Sequence, residues 1–109
     1  MEKTKIITAL AALAQESRLE VFRVLVPAGP EGLAAGKISE LTGIAPSSLS
    51  FHLKELLHAN LVSSRSVGRF MIYTAEFSTM NQLLSYLTEN CCAGSTCLDH
   101  HSCTPKENE

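Results

Sequence analysis

All four cysteines of this 109-residue chain, Cys91, Cys92, Cys97 and Cys103, fall in its last nineteen residues. Cysteines used as small buried hydrophobes would be scattered through helices and strands, so the clustering points to thiol chemistry. Thiolates are soft donors that select soft acceptors, and trivalent arsenic needs sulfur ligands alone. The stretch Ala93-Gly94-Ser95-Thr96 lets the chain fold back and carry Cys97 toward the adjacent Cys91 and Cys92, which suits a three-coordinate thiophilic centre. Other acceptors stay open. Zinc, cadmium or lead could take the four cysteines or mix in His100 and His101, although the spacing matches no standard zinc knuckle. A disulfide switch is a further reading, against which a reducing cytosol keeps thiols free, and a cysteine-bearing tail without ligand is the plainest one.

A second group of polar residues lies mid-chain. Ser47, Ser48, Ser50 and His52 are short hydrogen-bonding groups near the start of a segment opened by Pro46, with Phe51 and Lys54 beside them and Arg65 and Arg69 further on. Such groups suit base edges, phosphates and, for the phenyl ring, a thymine methyl. Each also has a plainer role. Ser47 and Ser48 could satisfy the free N–H groups of a first helical turn. His52 could be an ordinary surface or interdomain residue, Phe51 could pack on a neighbouring hairpin, and Arg65 and Arg69 could protect an exposed sheet edge.

The elements that must hold these residues can be read from apolar spacing. A first helix is expected over about Glu2 to Ala14, with Ile6, Leu10 and Leu13 on one face, and a second from Glu16 with Leu19, Phe22 and Leu25 or Val26 inward. Pro27-Ala28-Gly29-Pro30 stops it, and Glu31 to Gly36 reads as a loop or short turn. A brief helix over Lys37 to Thr42 turns inward Ile38 and Leu41, and Gly43 supplies the turn. The next helix starts at Pro46, whose missing N–H costs nothing there, and runs to about Ala59 with Leu49, Leu53, Leu56 and Leu57 inward. Ser47, Ser48, Phe51, Lys54, Glu55 and His58 then face outward. Leu61 to Ser66 and Arg69 to Thr74 read as a β-hairpin closed through Val67-Gly68. A last helix over about Phe77 to Glu89 carries Met80, Leu83, Leu84 and Leu87 on one side.

The expected fold is therefore mainly α with a β-hairpin wing: a winged helix-turn-helix of four helices, two strands and a final helix. Its physical logic is one rigid helix for the major groove, with flanking elements that hold phosphates and fix the register. The net charge of −2 hides an asymmetry that fits this. Residues 37–75 carry four Lys or Arg against two Glu, whereas residues 76–109 carry one Lys against five acids. A mildly basic middle suits moderate, salt-sensitive DNA binding.

Several classes are excluded. No uncharged run approaches the length of a membrane-spanning helix. Lys3 and Lys5 ahead of an apolar run imitate a secretory signal, but the run is short, Glu2 spoils the positive start, and helical spacing suits a packed helix; a cytoplasmic location is expected. No base is paired with the thiols, and there is neither a phosphate-cradling glycine loop nor a nucleotide fingerprint, so the chain is not read as an enzyme.

The stretch Gly43-Ile44-Ala45-Pro46-Ser47-Ser48-Leu49-Ser50-Phe51-His52-Leu53-Lys54-Glu55-Leu56, followed by His58-Ala59-Asn60-Leu61-Val62 and Gly68-Arg69-Phe70-Met71-Ile72-Tyr73, resembles the ArsR/SmtB family of metalloregulatory repressors. Ala14-Gln15-Glu16-Ser17-Arg18-Leu19-Glu20-Val21-Phe22 resembles the family's entry to its second helix, and the likeness spans about residues 5–90. It implies a homodimer joined through the first and last helices and bound to double-stranded operator DNA, with Ser47, Ser48, Ser50 and His52 on the groove helix and Arg69 on the wing. Asn60 stands where the family usually has Gly, a residue that also tolerates the left-handed conformation. Lys37-Ile38-Ser39-Glu40-Leu41 lacks the Cys-Val-Cys pair of the best-known arsenic repressors, and the last helix lacks the Asp/His set of the zinc sensors. The remaining likeness is to a subgroup in which Asn90-Cys91-Cys92 ends the last helix. It implies Cys91, Cys92 and Cys97 as ligands, with Cys103 able to substitute, and arsenite as the inducer that releases the repressor from an arsenic-resistance operon. No catalytic cofactor is implied. Two regions follow: residues 1–90 for DNA binding and dimerisation, and residues 91–109 as a cysteine-rich metalloid-binding tail.

Overall fold

Lys3–Leu13, a stretch without Gly or Pro, forms the first helix, α1, of a computed structural model that describes residues 2–90. Cys91, Cys92, Cys97 and Cys103, with His100 and His101, lie outside the described residues. The second helix, α2 (Glu16–Ala28), opens on Gln15, whose side chain accepts a hydrogen bond from the Arg18 backbone N–H at 3.0 Å. Arg18 Nε donates to the Ala12 carbonyl at 2.7 Å, which satisfies one of the acceptors left without a helical partner at the end of α1. A local cap and one long side chain thus set the corner between the two helices.

The inward face of α2 is Val21, Phe22 and Leu25, while Leu19 and Val26 are exposed. This corrects the expected stripe by part of a turn, because α2 is packed against several elements, two further helices and the sheet among them, rather than a single flat surface. The helix also continues through Pro27 to Ala28. Proline in a last turn removes one backbone donor while its φ still fits the helix, and Gly29, at φ +66°, ends it.

A 3-10 turn over Gly29–Glu31 leads to a short strand, β1 (Leu33–Ala34), where only a loop or turn was expected. Next come α3 (Ala35–Thr42) and α4 (Pro46–His58), then β2 (Val62–Val67), β3 (Phe70–Ala75) and α5 (Phe77–Leu87). The sheet is antiparallel in the order β1-β3-β2, so the hairpin is extended to three strands by β1, with Leu33 opposite Tyr73 and Ala34 opposite Ile72. Within the hairpin Val62 faces Ala75 and Val67 faces Phe70, leaving Gly68-Arg69 as the turn. The turn is one residue later than expected. Gly68 has φ +60° and Arg69 does not share the positive φ, the pattern of a type II′ turn, which needs glycine at its first position.

The core is a cluster in which Val21, Leu25, Ile38, Leu49, Leu56 and Leu61 are the largest fully enclosed side chains. Leu41, expected inward, is exposed on the short α3, which buries Ile38 alone. Among the described residues no helix is long and apolar enough to cross a membrane.

Candidate nucleic-acid interface

The turn between α3 and α4 is pinned by hydrogen bonds within the seven residues Ile38 to Ile44. Gly43, in the left-handed region at φ +77°, donates its N–H to the Ser39 carbonyl at 2.9 Å. Ser39 Oγ donates to the Ile44 carbonyl at 2.6 Å, Thr42 Oγ1 donates to Ile38 O at 2.8 Å, and the Ile44 N–H donates to Thr42 Oγ1 at 3.3 Å. These bonds fix the angle at which α4 leaves the turn. Pro46 is the first residue of α4, as the sequence predicts.

The far end of α4 is closed as firmly. Asn60 takes φ +61°, its N–H bonds the Leu57 carbonyl at 3.0 Å, and the Leu61 N–H bonds the Leu56 carbonyl at 3.0 Å. This is a Schellman closure, in which two of the last free carbonyls are satisfied and flanking apolar residues accompany it; Leu56 and Leu61 are both fully buried. Asn60 therefore does what glycine commonly does at such a stop.

Between these ends Leu49, Leu53 and Leu56 anchor α4 in the core, and Leu57 is half-buried. Ser47, Ser48, Ser50, Phe51 and Lys54 stand exposed on the opposite side. The N-cap of α4 is Ala45, which has no side-chain capping bond, and among the described residues the three serine hydroxyls make no hydrogen bond. Phe51 is 56% exposed and touches the His52 ring edge-on, with centroids 5.6 Å apart and planes at 67°. His52 is half-buried, and its Nδ1 is sealed from solvent with no partner, which leaves Nε2 as the ring nitrogen that a base or phosphate could meet.

On the wing the two arginines are placed differently. Arg69 lies in the hairpin turn, fully at the tip and exposed. Arg65 lies on β2, and its guanidinium reaches back to the 3-10 turn, where Nη2 donates to the Glu31 carbonyl at 2.9 Å and Nη1 to the Pro30 carbonyl at 3.4 Å. Val67, Phe70 and Met71 are exposed around the tip, an apolar collar that charge-based reading passed over. Gly32 was also passed over. A Cβ there would overlap the Tyr73 carbonyl oxygen and the side chains of Ile72 and Thr74, so the segment ahead of β1 lies directly on the hairpin. Among the described residues the only ion pair is Lys37 with Glu40, at 3.7 Å and exposed on both sides, and no group of three or more His, Cys, Asp or Glu residues gathers as a metal site.

A rigid polar helix beside a cation-tipped hairpin is the arrangement that reads a groove and holds phosphates. A family model described as a helix-turn-helix domain matches residues 13–65. The chain is similar to the arsenical resistance operon repressor of Bacillus subtilis, with 36% identity over 81 residues, 74% of this chain and 73% of the relative. Among solved structures it resembles NolR from Sinorhizobium fredii, at 31% identity and TM-score 0.63 over 85% of this chain and 88% of that one. The homodimeric winged helix-turn-helix DNA-binding domain of a Mycobacterium bovis protein shares the fold, at 18% identity and TM-score 0.65 over 96% and 89% of the two chains. The identity and coverage of the Bacillus relative, carried on this fold, make the chain a member of the ArsR/SmtB family of DNA-binding transcriptional repressors, and not an enzyme.

Proposed function

We propose that this repressor controls an arsenic-resistance operon, binding its operator as a homodimer and leaving it when arsenite is captured by Cys91, Cys92 and Cys97, with Cys103 able to replace the third thiol. The observation that carries the reading is the likeness to a repressor named for arsenical resistance in a chain whose four cysteines all follow α5 in sequence. The donor set fits the ligand, since trivalent arsenic is thiophilic and needs no harder donor. A reducing cytoplasm, the setting of operator DNA, keeps the thiols available.

The terminal helices support the dimer. Ile7 (58% exposed) and Leu10 (40%) on α1, with Leu84 (46%) and Leu87 (54%) on α5, leave aliphatic surface uncovered within one chain, and the similar Mycobacterium bovis domain is homodimeric. Cys91 follows the end of α5 by four residues, so drawing the thiols together acts directly on a helix of the proposed interface. The two groove helices of the dimer then lose the spacing that matches successive major grooves. A coupling of about 1–3 kcal/mol weakens DNA binding by roughly 5- to 150-fold.

On DNA, Ser47, Ser48, Ser50 and His52 meet base edges or nearby phosphates, Phe51 lies against a thymine methyl, Lys54 pairs with phosphate, and Arg69 holds the backbone beside the wing. The test is fluorescence anisotropy of the reduced protein on a duplex from its own promoter, titrated with arsenite and separately with zinc, then repeated with Cys91→Ser. Release by arsenite and not zinc, lost in the variant, is the expected outcome. Release by zinc alone would transfer the site to a divalent metal, for which His100 and His101 supply nitrogen donors. Stoichiometric arsenite binding without any change in operator affinity would sink the reading.

A further inference from the structure

Arg65 and Arg69 look equivalent in the sequence, two cations four residues apart near one hairpin turn. The structure separates them. Arg65 is paired across β2 and β3 with Ile72, and Ile72 is paired in turn with Ala34 of β1. To donate to the carbonyls of Pro30 and Glu31, which precede β1, the Arg65 side chain crosses β3. It thereby ties the outer strand of the hairpin to a segment 34 residues away in sequence. Gly32 reports the same docking independently, because the absence of a Cβ is what lets this segment lie on the backbone and side chains of β3.

The docked segment is not a free loop. It continues the C-terminus of α2, and through the two residues of β1 it becomes α3, the helix whose C-terminal turn aims α4. The pairing of β1 with β3 ties the inner strand of the hairpin to the helix-turn-helix, whereas β2 is the outer strand and pairs with β3 alone. The guanidinium on two carbonyls adds a direct tie from β2 to that same frame.

We propose that Arg65 is a positioning residue, a clasp between the wing and the Gly29–Gly32 segment, which leaves to Arg69 the phosphate contact already proposed for the wing. This rests on the family's DNA-binding activity and is independent of the arsenite reading. A clasp and a phosphate contact make opposite demands on the side chain. A phosphate contact needs the positive charge, which lysine keeps. A clasp on two carbonyls needs the planar fork of donors, which lysine lacks.

The experiment is anisotropy of the full chain on its promoter duplex across a salt series, for Arg65→Lys, Arg65→Ala, Arg69→Ala and Gly32→Ala. Arg69→Ala is expected to lower the slope of log affinity against log salt by about one per protomer. Arg65→Lys is expected to weaken binding roughly 3- to 10-fold with its charge intact, the size of about one net exposed hydrogen bond, and to leave the slope unchanged. Hydrogen exchange should then quicken in β2 and β3 while α2 and α4 keep their protection, a local signature that general destabilisation would not give. Arg65→Lys combined with Gly32→Ala should bind no more weakly than the worse of the two alone, because both undo one docking. Parental binding by Arg65→Lys, a reduced salt slope for Arg65→Ala, or full additivity of the pair would each overturn the proposal.

Discussion

Two helices of nearly equal length, α4 and α5, present opposite surfaces. The first buries three leucines and turns Ser47, Ser48, Ser50 and Lys54 to solvent, with a single exposed ring at Phe51. The second buries only Thr79 and Leu83 and leaves Phe77, Leu84 and Leu87 exposed. A helix whose outer face is polar is complete as a folded element and has hydrogen-bonding capacity to offer a nucleic acid. One that exposes large apolar side chains among polar ones, as α5 does beside Ser78, Asn81, Gln82 and Ser85, leaves apolar surface uncovered in a single chain, which forfeits about 25 cal/mol for each Å² that a partner could cover. The difference supports the proposed roles of α4 on DNA and of α5 in the dimer, and the cysteines of the proposed metalloid switch follow α5 in sequence.

The comparison breaks most completely at the root of α4. Leu53→Ala removes a buried anchor of the groove helix, and a Leu→Ala change in a packed core costs about 2–5 kcal/mol. Thermal or urea unfolding should show that loss, and DNA binding should fall with it. A parental melting curve would mean that α4 is held from its two ends alone.

The next largest effect concerns α5. Leu84→Glu with Leu87→Glu should leave the fold of the chain intact and yield a monomer in sedimentation equilibrium. Because two linked half-site contacts are replaced by one, operator affinity should drop on the order of 100-fold or more. A dimer that persists would detach α5 from the interface and send the search to α1.

On the outer face of α4 the expected change is smaller and has a different character. His52→Ala or Ser50→Ala should cost about 1–3 kcal/mol of binding and relax preference at one base position, with no change in melting temperature. Uniform weakening across a panel of single-base operator variants would instead identify these residues as phosphate contacts. The smallest effect is expected at the stop of α4. Asn60→Gly relieves a left-handed asparagine and should change stability by no more than about 1 kcal/mol, in the stabilising direction, whereas Asn60→Ala should destabilise.

These outcomes also separate what is local in the chain from what is not. The turn at Gly43, the start at Pro46, the stop at Asn60 and the glycine of the hairpin turn are all governed by residues within about one helical turn, where φ limits and hydrogen-bond reach act directly. Their positions, and the outward face of α4, are therefore legible in the residues. The thiol chemistry proposed for Cys91, Cys92, Cys97 and Cys103 rests on the sequence alone, since these residues lie outside the described ones.

The burial of each helix face was less legible. Leu10, Leu19, Leu41 and Leu84 have the spacing of core residues yet stand exposed, because periodicity identifies an apolar stripe without saying whether the same chain or another covers it. Strand β1 has only two residues, too few to carry an alternating pattern, and it exists through its pairing with β3. The different stations of Arg65 and Arg69 were likewise beyond local reading. Composition determined that two cations sit on the wing. Which one is tied back to the 3-10 turn was decided when residues 31 and 65 met in space, a contact that no rule acting over a few residues can supply.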